Sequence, residues 1–134
     1  MSAPDRHSIA VMPVPDDIDE LDHVSNLVYL RWVLAVARAH SDARGFDGAA
    51  YRELGATWVV RRHEIDYVRS AKLGTAITVT TWVESWKRVS CVRCTEIVAN
   101  DDGLVLAKAA TTWAFVDLAT GRPTRVPESL QSRF

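Results

Sequence analysis

The sequence predicts an α+β domain in which an antiparallel β-sheet wraps around one long central α-helix. Two observations predict it: a nearly continuous apolar segment that begins at Leu27, and four later stretches rich in β-forming residues that are joined by short breaks. A helix that is apolar on almost all sides must be buried. Strands joined by such short breaks are antiparallel. A curved sheet that covers the helix is the simplest arrangement that buries both.

The stretch before the helix combines a short strand with an acidic loop. Residues 8–14, SIAVMPV, predict a first strand. Pro13 and Pro15 confine the end of that strand to an edge or release it into a loop. Residues 16–22 then carry four aspartates and one glutamate. The loop therefore brings several carboxylates to the start of the helix that follows.

The long helix is predicted over residues 26–44. Ser25 is a good N-cap because its hydroxyl accepts a hydrogen bond from a first-turn N–H, and Gly45 is a plausible C-cap. At about 1.5 Å per residue the helix is close to 30 Å long, enough to cross a small domain. Its buried start concentrates unpaired N–H groups and partial positive charge, which is a natural place for an oxyanion or a phosphate.

The rest of the chain is predicted to be mostly β-strand. Residues 47–55 form a short helix or an irregular connection, and residues 127–134 form a terminal helical turn that starts at a proline. Residues 100–103, NDDG, are a strong hairpin signal. The four predicted strands span residues 57–68, 75–86, 88–99 and 104–116.

Composition and charge indicate one ordinary globular domain over residues 1–134. The chain is 48% hydrophobic, which supplies enough material for a core. Its formal net charge is −1 and it has no basic run, so nucleic acid is not expected as the main partner. The N-terminus lacks the apolar core of a signal peptide, and no apolar run approaches the roughly 20 residues that span a bilayer. We therefore expect a cytoplasmic protein without a membrane partner.

Cys91 and Cys94 have the C-x-x-C spacing of redox pairs and zinc sites. Their surroundings predict a strand, in which residues three apart point to opposite faces. No second such pair completes a metal site. We expect two unpaired thiols.

A resemblance to a known family is carried by residues 17–29, DIDELDHVSNLVY. They resemble D-x-D-x-x-G-H-V-N-N-x-x-Y, the signature of hotdog-fold acyl-CoA thioesterases of the 4-hydroxybenzoyl-CoA thioesterase-like group. Asp22 stands where the family usually has Gly, and Ser25 replaces the first Asn. Weaker echoes lie in residues 64–74, 86–90 and 121–127. The hotdog fold has the element order predicted above, so the resemblance covers most of the chain.

This resemblance implies an enzyme that hydrolyses an acyl thioester to a free carboxylic acid and coenzyme A. Asp19 is implied as the catalytic carboxylate, acting as nucleophile or as general base. Without the motif, the acidic residues would be interpreted as a solvated loop that caps the helix. A calcium loop is rejected because Leu21 occupies a ligand position and no Gly follows. No metal or redox cofactor is needed, since coenzyme A is part of the substrate.

The residues after Asp19 have two interpretations each. His23 polarises the thioester carbonyl or orients Asp19, or it is a capping histidine bonded to the loop backbone. Asn26 positions the thioester or a water, or it merely starts the helix. For Tyr29 we favour packing, with the hydroxyl bonded to a buried partner.

Three basic residues are candidates for the phosphates of coenzyme A. Arg69, Lys87 and Arg88 would hold this polyanionic handle at the mouth of the pocket, although a surface basic residue is usually only a solvated charge. Glu64 is a possible second carboxylate, and an ordinary strand glutamate is the favoured interpretation. The acyl chain cannot be identified from sequence, although five tryptophans suggest an aromatic lining.

The resemblance also implies a homodimer, or a tetramer made of dimers, in which two subunits pair their sheets and share active sites. Three alternatives remain open. The first is the same chemistry on acyl carrier protein. The second is a hotdog dehydratase or hydratase, which we rank low because its motif is not visible. The third is a domain that binds acyl thioesters without turning them over, an alternative that Asp22 keeps open.

Overall fold

A computed structural model describes residues 3–134 and shows a five-stranded antiparallel sheet curved around one long helix. A short 3-10 turn, Pro15–Asp17, precedes the helix. The elements are β1 (His7–Val11), α1 (Asn26–Ala43), α2 (Gly48–Leu54), β2 (Ala56–Tyr67), β3 (Ile77–Trp86), β4 (Ser90–Ala99), β5 (Val105–Asp117) and α3 (Glu128–Gln131). The predicted architecture is confirmed, with the main differences in bounds at the ends of β1 and α3.

The strand order across the sheet is β1-β3-β4-β5-β2, and every neighbouring pair is antiparallel. The two edges differ, because β1 has 5 residues whereas β2 has 12. In β2 the register shifts between Val60 and Arg62, which marks a bulge. The sheet therefore ends on one side in a long strand whose outer backbone groups have no partner strand within residues 3–134.

The core lies between α1 and the concave face of the sheet. On the helix side, Val33 and Val36 are almost fully buried. They belong to the same cluster as Ile77, Val79 and Ile97 of β3 and β4. Fully burying such a side chain stabilises the fold by about 1.5–3 kcal/mol. These contacts fix α1 across the sheet and so determine where its start and its end lie.

The expectation that α1 is buried on all sides is wrong for one face. Leu27 and Leu34 remain 75% and 38% exposed, and Ala35 is also exposed. The reason is that α1 packs mainly on β1 and β3. The helix face toward β5 and β2 therefore stays open and borders a cavity.

The two cysteines behave as predicted for a strand. Cys91 is buried on the face of β4 toward the helix, whereas Cys94 lies on the opposite face, beside Trp82. Both thiols are free. Burial raises the pKa of the Cys91 thiol to about 12, so this thiol is protonated at neutral pH.

Candidate active site

Asp17 anchors the acidic loop to the start of α1. Its buried carboxylate accepts hydrogen bonds from the Arg31 side chain and from the backbone N–H of Val14, the latter at 3.0 Å. Its carbonyl accepts the N–H of Ser25 at 2.9 Å. Both carboxylate oxygens are therefore engaged in holding the fold, whereas Asp19, the second aspartate of the motif, is exposed.

Asp19 closes the loop and keeps an exposed carboxylate. Its Oδ1 accepts the backbone N–H of Leu21 at 2.9 Å and that of His23 at 3.3 Å, while its own N–H donates to the carbonyl of His23 at 2.8 Å. This is an Asx-type turn, in which the side chain replaces a backbone acceptor. One oxygen orders the loop, and the other faces outward.

Asp22 takes the backbone conformation that explains the usual glycine at this position. It is the one non-glycine residue with positive φ in the described part of the chain, at φ 60°. L-residues pay for this left-handed region, but Asp tolerates it better than most. The aspartate thus preserves the turn that a glycine would form, at some cost in stability.

The helix start presents one unpaired donor. Ser25 is the N-cap as predicted, since its hydroxyl accepts the N–H of Leu27 at 3.3 Å and its carbonyl accepts that of Val28 at 2.9 Å. Within residues 3–134, no hydrogen bond engages the N–H of Asn26, the first residue of α1. This N–H and the helix dipole form a small site for negative charge beside the Asp19 loop.

Tyr29 ties the helix start to the loop after β2. Its hydroxyl accepts the N–H of Ala71 at 2.9 Å and donates to the carbonyl of Arg69 at 3.4 Å. The ring also packs edge-on against Tyr67, whose hydroxyl reaches the carbonyl of Asn26 at 3.4 Å. Burial raises the pKa of Tyr29, so its hydroxyl stays protonated. The packing role expected for Tyr29 agrees with these contacts.

The six candidate site residues fall into two groups. Asp19, His23, Asn26 and Arg69 lie at the end of the sheet where α1 begins, and Arg69 there forms an ion pair with Asp102 at 3.3 Å. The half-buried His23 joins the loop through its backbone rather than through its imidazole.

Lys87 and Arg88 form the second group, in the β3–β4 turn at the opposite end of the sheet. There the carbonyl of Arg88 accepts the N–H of Val126 at 2.9 Å. Since α1 has 18 residues and spans about 27 Å, the single chain does not bring these two cations to Asp19. Glu64 is exposed on β2 and pairs with Arg62.

A cavity of about 550 Å³ lies under the open face of α1. The helices α1 and α2 and the strands β2, β3, β4 and β5 contribute to its walls, and three of the five tryptophans lie in them. Of the other two, Trp32 belongs to the core. The aromatic side chains in the wall are Phe46, Tyr51, Trp58, Trp86, Trp113 and Phe134. The aromatic lining suggested by the composition is therefore present, in the half of the domain where α1 ends.

A buried polar chain borders this cavity and was not expected from the sequence. The guanidinium of Arg93 donates through Nη1 to Nδ1 of His40 at 2.8 Å, and Nε2 of His40 lies 2.8 Å from the carboxylate of Asp5. Asp5 also receives two hydrogen bonds from Arg44, which hold its pKa at about 2. Burial lowers the pKa of His40, so it is neutral at pH 7. A neutral His40 accepts from Arg93 and donates to Asp5.

Within residues 3–134, no group of three or more His, Cys, Asp or Glu side chains is arranged to hold a metal ion. None of the helices in that part of the chain is both long enough and apolar enough to cross a membrane.

Comparison of sequences gives one family match. Residues 13–134 match the model of the thioesterase-like superfamily. No curated protein matches the chain in sequence.

Comparison with solved structures gives several matches over nearly the whole chain. A putative oleoyl thioesterase from Lactobacillus plantarum is 18% identical, with a TM-score of 0.92, over 98% of this chain and 50% of its own. A 1,4-dihydroxy-2-naphthoyl-CoA thioesterase from Synechocystis is 15% identical, with a TM-score of 0.87, over 96% and 95%. An acyl-ACP thioesterase from Bacteroides thetaiotaomicron is 26% identical, with a TM-score of 0.84, over 90% and 49%. The chain thus spans about half the length of the first and third of these proteins, and all three share its fold.

Proposed function

The chain belongs to the thioesterase-like superfamily and has the hotdog fold, and on this premise we propose that it is an acyl-CoA thioesterase. The reaction adds water to an acyl thioester and yields a free carboxylic acid and coenzyme A. One observation carries the proposal: the exposed carboxylate of Asp19 lies in the loop that precedes α1, and the first residue of α1, Asn26, has an unpaired N–H. A base beside an oxyanion donor is what thioester hydrolysis requires.

In the proposed mechanism Asp19 acts as general base. The carboxylate takes a proton from water as the water oxygen attacks the thioester carbonyl carbon. The C–S bond then breaks, and the proton passes to the departing coenzyme A thiolate. The Asx turn holds the carboxylate in place through one oxygen, so the other is free to face the water.

The developing oxyanion is assigned to the start of α1. The N–H of Asn26 donates to it, and the dipole of a helix of 18 residues adds to the stabilisation. His23 lies in the same loop and is proposed to polarise the thioester carbonyl.

Asp19 as a nucleophile is the alternative route to the same products. Its carboxylate would then displace the thiolate and form a mixed anhydride that water hydrolyses. A single turnover in ¹⁸O-labelled water identifies the nucleophilic route when water attacks the Asp19 carbonyl of the anhydride, because the product acid then carries an oxygen from the enzyme.

The proposed active unit is a homodimer or a dimer of dimers joined through β2. This edge strand is 12 residues long, and Val59 and Val60 are each 38% exposed on it. An unpaired edge strand of this length invites pairing with another strand. A symmetric pair uses the same edge of both subunits and makes the two β2 strands antiparallel.

This symmetry also supports a role for the two distant cations. When β2 pairs with its copy, each sheet is reversed relative to the other. The β3–β4 turn of one subunit, with Lys87 and Arg88, then lies at the same end of the joined sheet as Asp19 of the other. We propose that these cations and Arg69 hold the phosphates of coenzyme A.

Acyl carrier protein remains a second candidate carrier of the acyl group. The likeness at 26% identity to an acyl-ACP thioesterase favours it. A binding domain without turnover is less favoured, because Asp22 adopts the positive φ that the family glycine would adopt.

The experiment is thiol release from a panel of short, medium, long and aromatic acyl-CoAs, with acyl carrier protein thioesters of the same chains beside them. The purified protein is compared with its Asp19→Asn variant, which keeps the acceptor for the loop. We expect turnover by the native protein and a loss of about 100-fold or more in kcat for the folded variant. Binding of acyl-CoA without thiol release would instead identify a binding domain.

A further inference from the structure

Arg93 is a cation enclosed in the protein beside the aromatic cavity. It lies in the middle of β4, is only 7% exposed and forms part of the cavity wall. A buried charge is costly unless a partner of opposite charge and hydrogen bonds compensate it. The partners of Arg93 therefore indicate what the cavity holds.

The partners that Arg93 has within residues 3–134 are neutral. Nη1 donates to Nδ1 of His40 at 2.8 Å and to the hydroxyl of Thr81 at 3.2 Å. His40 is neutral, and the negative charge of Asp5 behind it is already matched by the bidentate contact from Arg44. In this group of four ionisable residues, one positive charge is left over.

No carboxylate of the described residues lies within salt-bridge distance of Arg93. Three other charged residues line the cavity, all on the exposed side of α1. The charges of Asp42 and Arg38 cancel, and Arg31 is paired with Asp17. Only one of the three guanidinium nitrogens of Arg93 is hydrogen-bonded within residues 3–134. Nε and Nη2 are left as donors for an occupant of the cavity.

A second unsatisfied donor lies in the same wall. Nε1 of Trp113 is the one fully buried side-chain nitrogen or oxygen without a hydrogen-bond partner in residues 3–134. Trp113 lines the cavity and pairs across the sheet with Cys91, two positions before Arg93 on the same face of β4. Because this nitrogen is fully buried, an occupant of the cavity contacts the Trp113 ring and not its N–H.

We propose that this cavity binds acyl groups that end in a carboxylate, with the Arg93 guanidinium donating to that carboxylate through Nε and Nη2. The proposal rests on the thioesterase activity proposed above and specifies its substrates as monothioesters of dicarboxylic acids. A guanidinium matches a carboxylate geometrically through two parallel hydrogen bonds. The aromatic wall packs against the methylene chain between the two ends.

The same residues select against an ordinary fatty acyl chain. A terminal methyl group would displace water from Arg93 without offering an acceptor to its free N–H groups. Discrimination of this kind, in which the wrong ligand leaves buried polar groups unpaired, is stronger than discrimination by apolar contact alone.

The position of Arg93 relates the acyl length to the proposed dimer. His40, which holds Arg93, follows Asn26 by 14 positions on α1, a distance of about 21 Å along the helix. In a dimer paired through β2, the start of the partner's α1 lies at the end of the joined sheet where α1 of this subunit ends, and the cavity is at that end. A substrate series must therefore cover both medium and long chains.

The test compares matched pairs of CoA thioesters of equal length: adipoyl with hexanoyl, suberoyl with octanoyl, and hexadecanedioyl with palmitoyl. At the length that fits, we expect kcat/KM to favour the carboxylate-ended member by about 10- to 100-fold. Arg93→Gln should abolish this preference, whereas Arg122→Gln, a surface arginine outside the cavity, should retain it. Equal kcat/KM values in every pair, or an unchanged preference in folded Arg93→Gln, would overturn the proposal.

Two further arms keep the test decisive. Arg93→Lys keeps the positive charge but lacks the two parallel donors of a guanidinium, and it should reduce the preference even if Arg93→Gln fails to fold. If no thioester is hydrolysed, the proposed activity fails, and calorimetric titration with free suberate tests the cavity by itself. Binding by the native protein that is weakened in Arg93→Lys and lost in Arg93→Gln supports a carboxylate site, and absence of binding by the native protein refutes it.

Discussion

Asp19 and His23 hold each other through two hydrogen bonds: the N–H of Asp19 donates to the carbonyl of His23 at 2.8 Å, and the Asp19 carboxylate accepts the N–H of His23 at 3.3 Å. The proposed catalyst is therefore also the residue that shapes its own loop. An amide oxygen can accept the same bonds, whereas a methyl group cannot. We expect the free energy of unfolding of Asp19→Asn to lie within about 0.5 kcal/mol of that of the native protein. Asp19→Ala should be about 1 kcal/mol less stable than the native protein. Urea unfolding of the three proteins measures these free energies. Equal losses of stability in the two variants would contradict a stabilising role of the Asp19 side-chain oxygen in the turn.

Replacing Asp22 tests the cost of its positive φ. Asp22→Gly should stabilise the protein by up to about 1 kcal/mol, because glycine enters the left-handed region without steric penalty. Asp22→Val should destabilise it, since a β-branched residue strongly disfavours this conformation. Guanidinium unfolding gives both values. Thiol release by the Gly variant should equal or exceed that of the native protein, and a large loss would assign Asp22 a role beyond the turn.

The hydroxyl of Tyr29 should matter for both stability and substrate affinity. Tyr29→Phe leaves the N–H of Ala71, a residue that is 1% exposed, without its acceptor. We expect a loss of about 1–3 kcal/mol in the free energy of unfolding. Because the same hydroxyl holds the backbone of Arg69, KM for acyl-CoA should rise more than kcat falls. A change confined to kcat would contradict this positioning of Arg69.

The elements were predictable because they depend on local patterns. The hairpin run at residues 100–103, the N-cap at Ser25 and the glycine after α1 each determine a boundary through nearby residues only. The structure places α1 at Asn26–Ala43, one residue short of the predicted end. The motif placed Asp19 and Asn26 at the helix start for the same local reason.

The buried polar chain was not predictable in this way. In β4 both alternating sets mix polar and apolar residues, so period-2 alternation alone does not show that Arg93 faces the helix. Asp5 and Arg44 are 39 positions apart, and only the tertiary fold brings them together. Lys87 resembled a family position, but sequence alone does not show that it lies at the far end of α1.

Pairing through β2 predicts which surface substitution changes the oligomeric state. Val60→Lys places a charge on the long edge strand and should shift the proposed dimer toward monomer. Met12→Lys is the matched control, because Met12 is 57% exposed just beyond β1, the other edge of the sheet. Light scattering after size exclusion measures the mass of each protein. Dissociation by Met12→Lys alone would assign the interface to the β1 edge.

The buried His40 predicts a loss of stability in mild acid. Burial lowers its pKa in the folded protein below the ordinary value of 6.5, and burial also lowers the pKa of His63. The unfolded chain therefore binds protons that the folded chain does not as pH falls below about 6.5, and the free energy of unfolding decreases. The stability that each neutral histidine contributes is fully present above about pH 6.5. Below it, each histidine lowers the free energy of unfolding by at most about 1.4 kcal/mol per pH unit.

Variants separate these groups by the pH at which each acts. His40→Gln should flatten the fall in stability between about pH 7 and pH 5, and His63→Gln should remove only the part due to His63. Asp5 acts lower, because its folded pKa of about 2 lies below the ordinary 3.8. Its stabilising contact with Arg44 is complete above pH 3.8 and is lost as pH falls toward 2. Asp5→Asn should flatten the fall in stability between about pH 4 and pH 2 and leave the fall near neutral pH unchanged. If His40→Gln left the slope near neutral pH unchanged, His40 would be protonated in the folded protein.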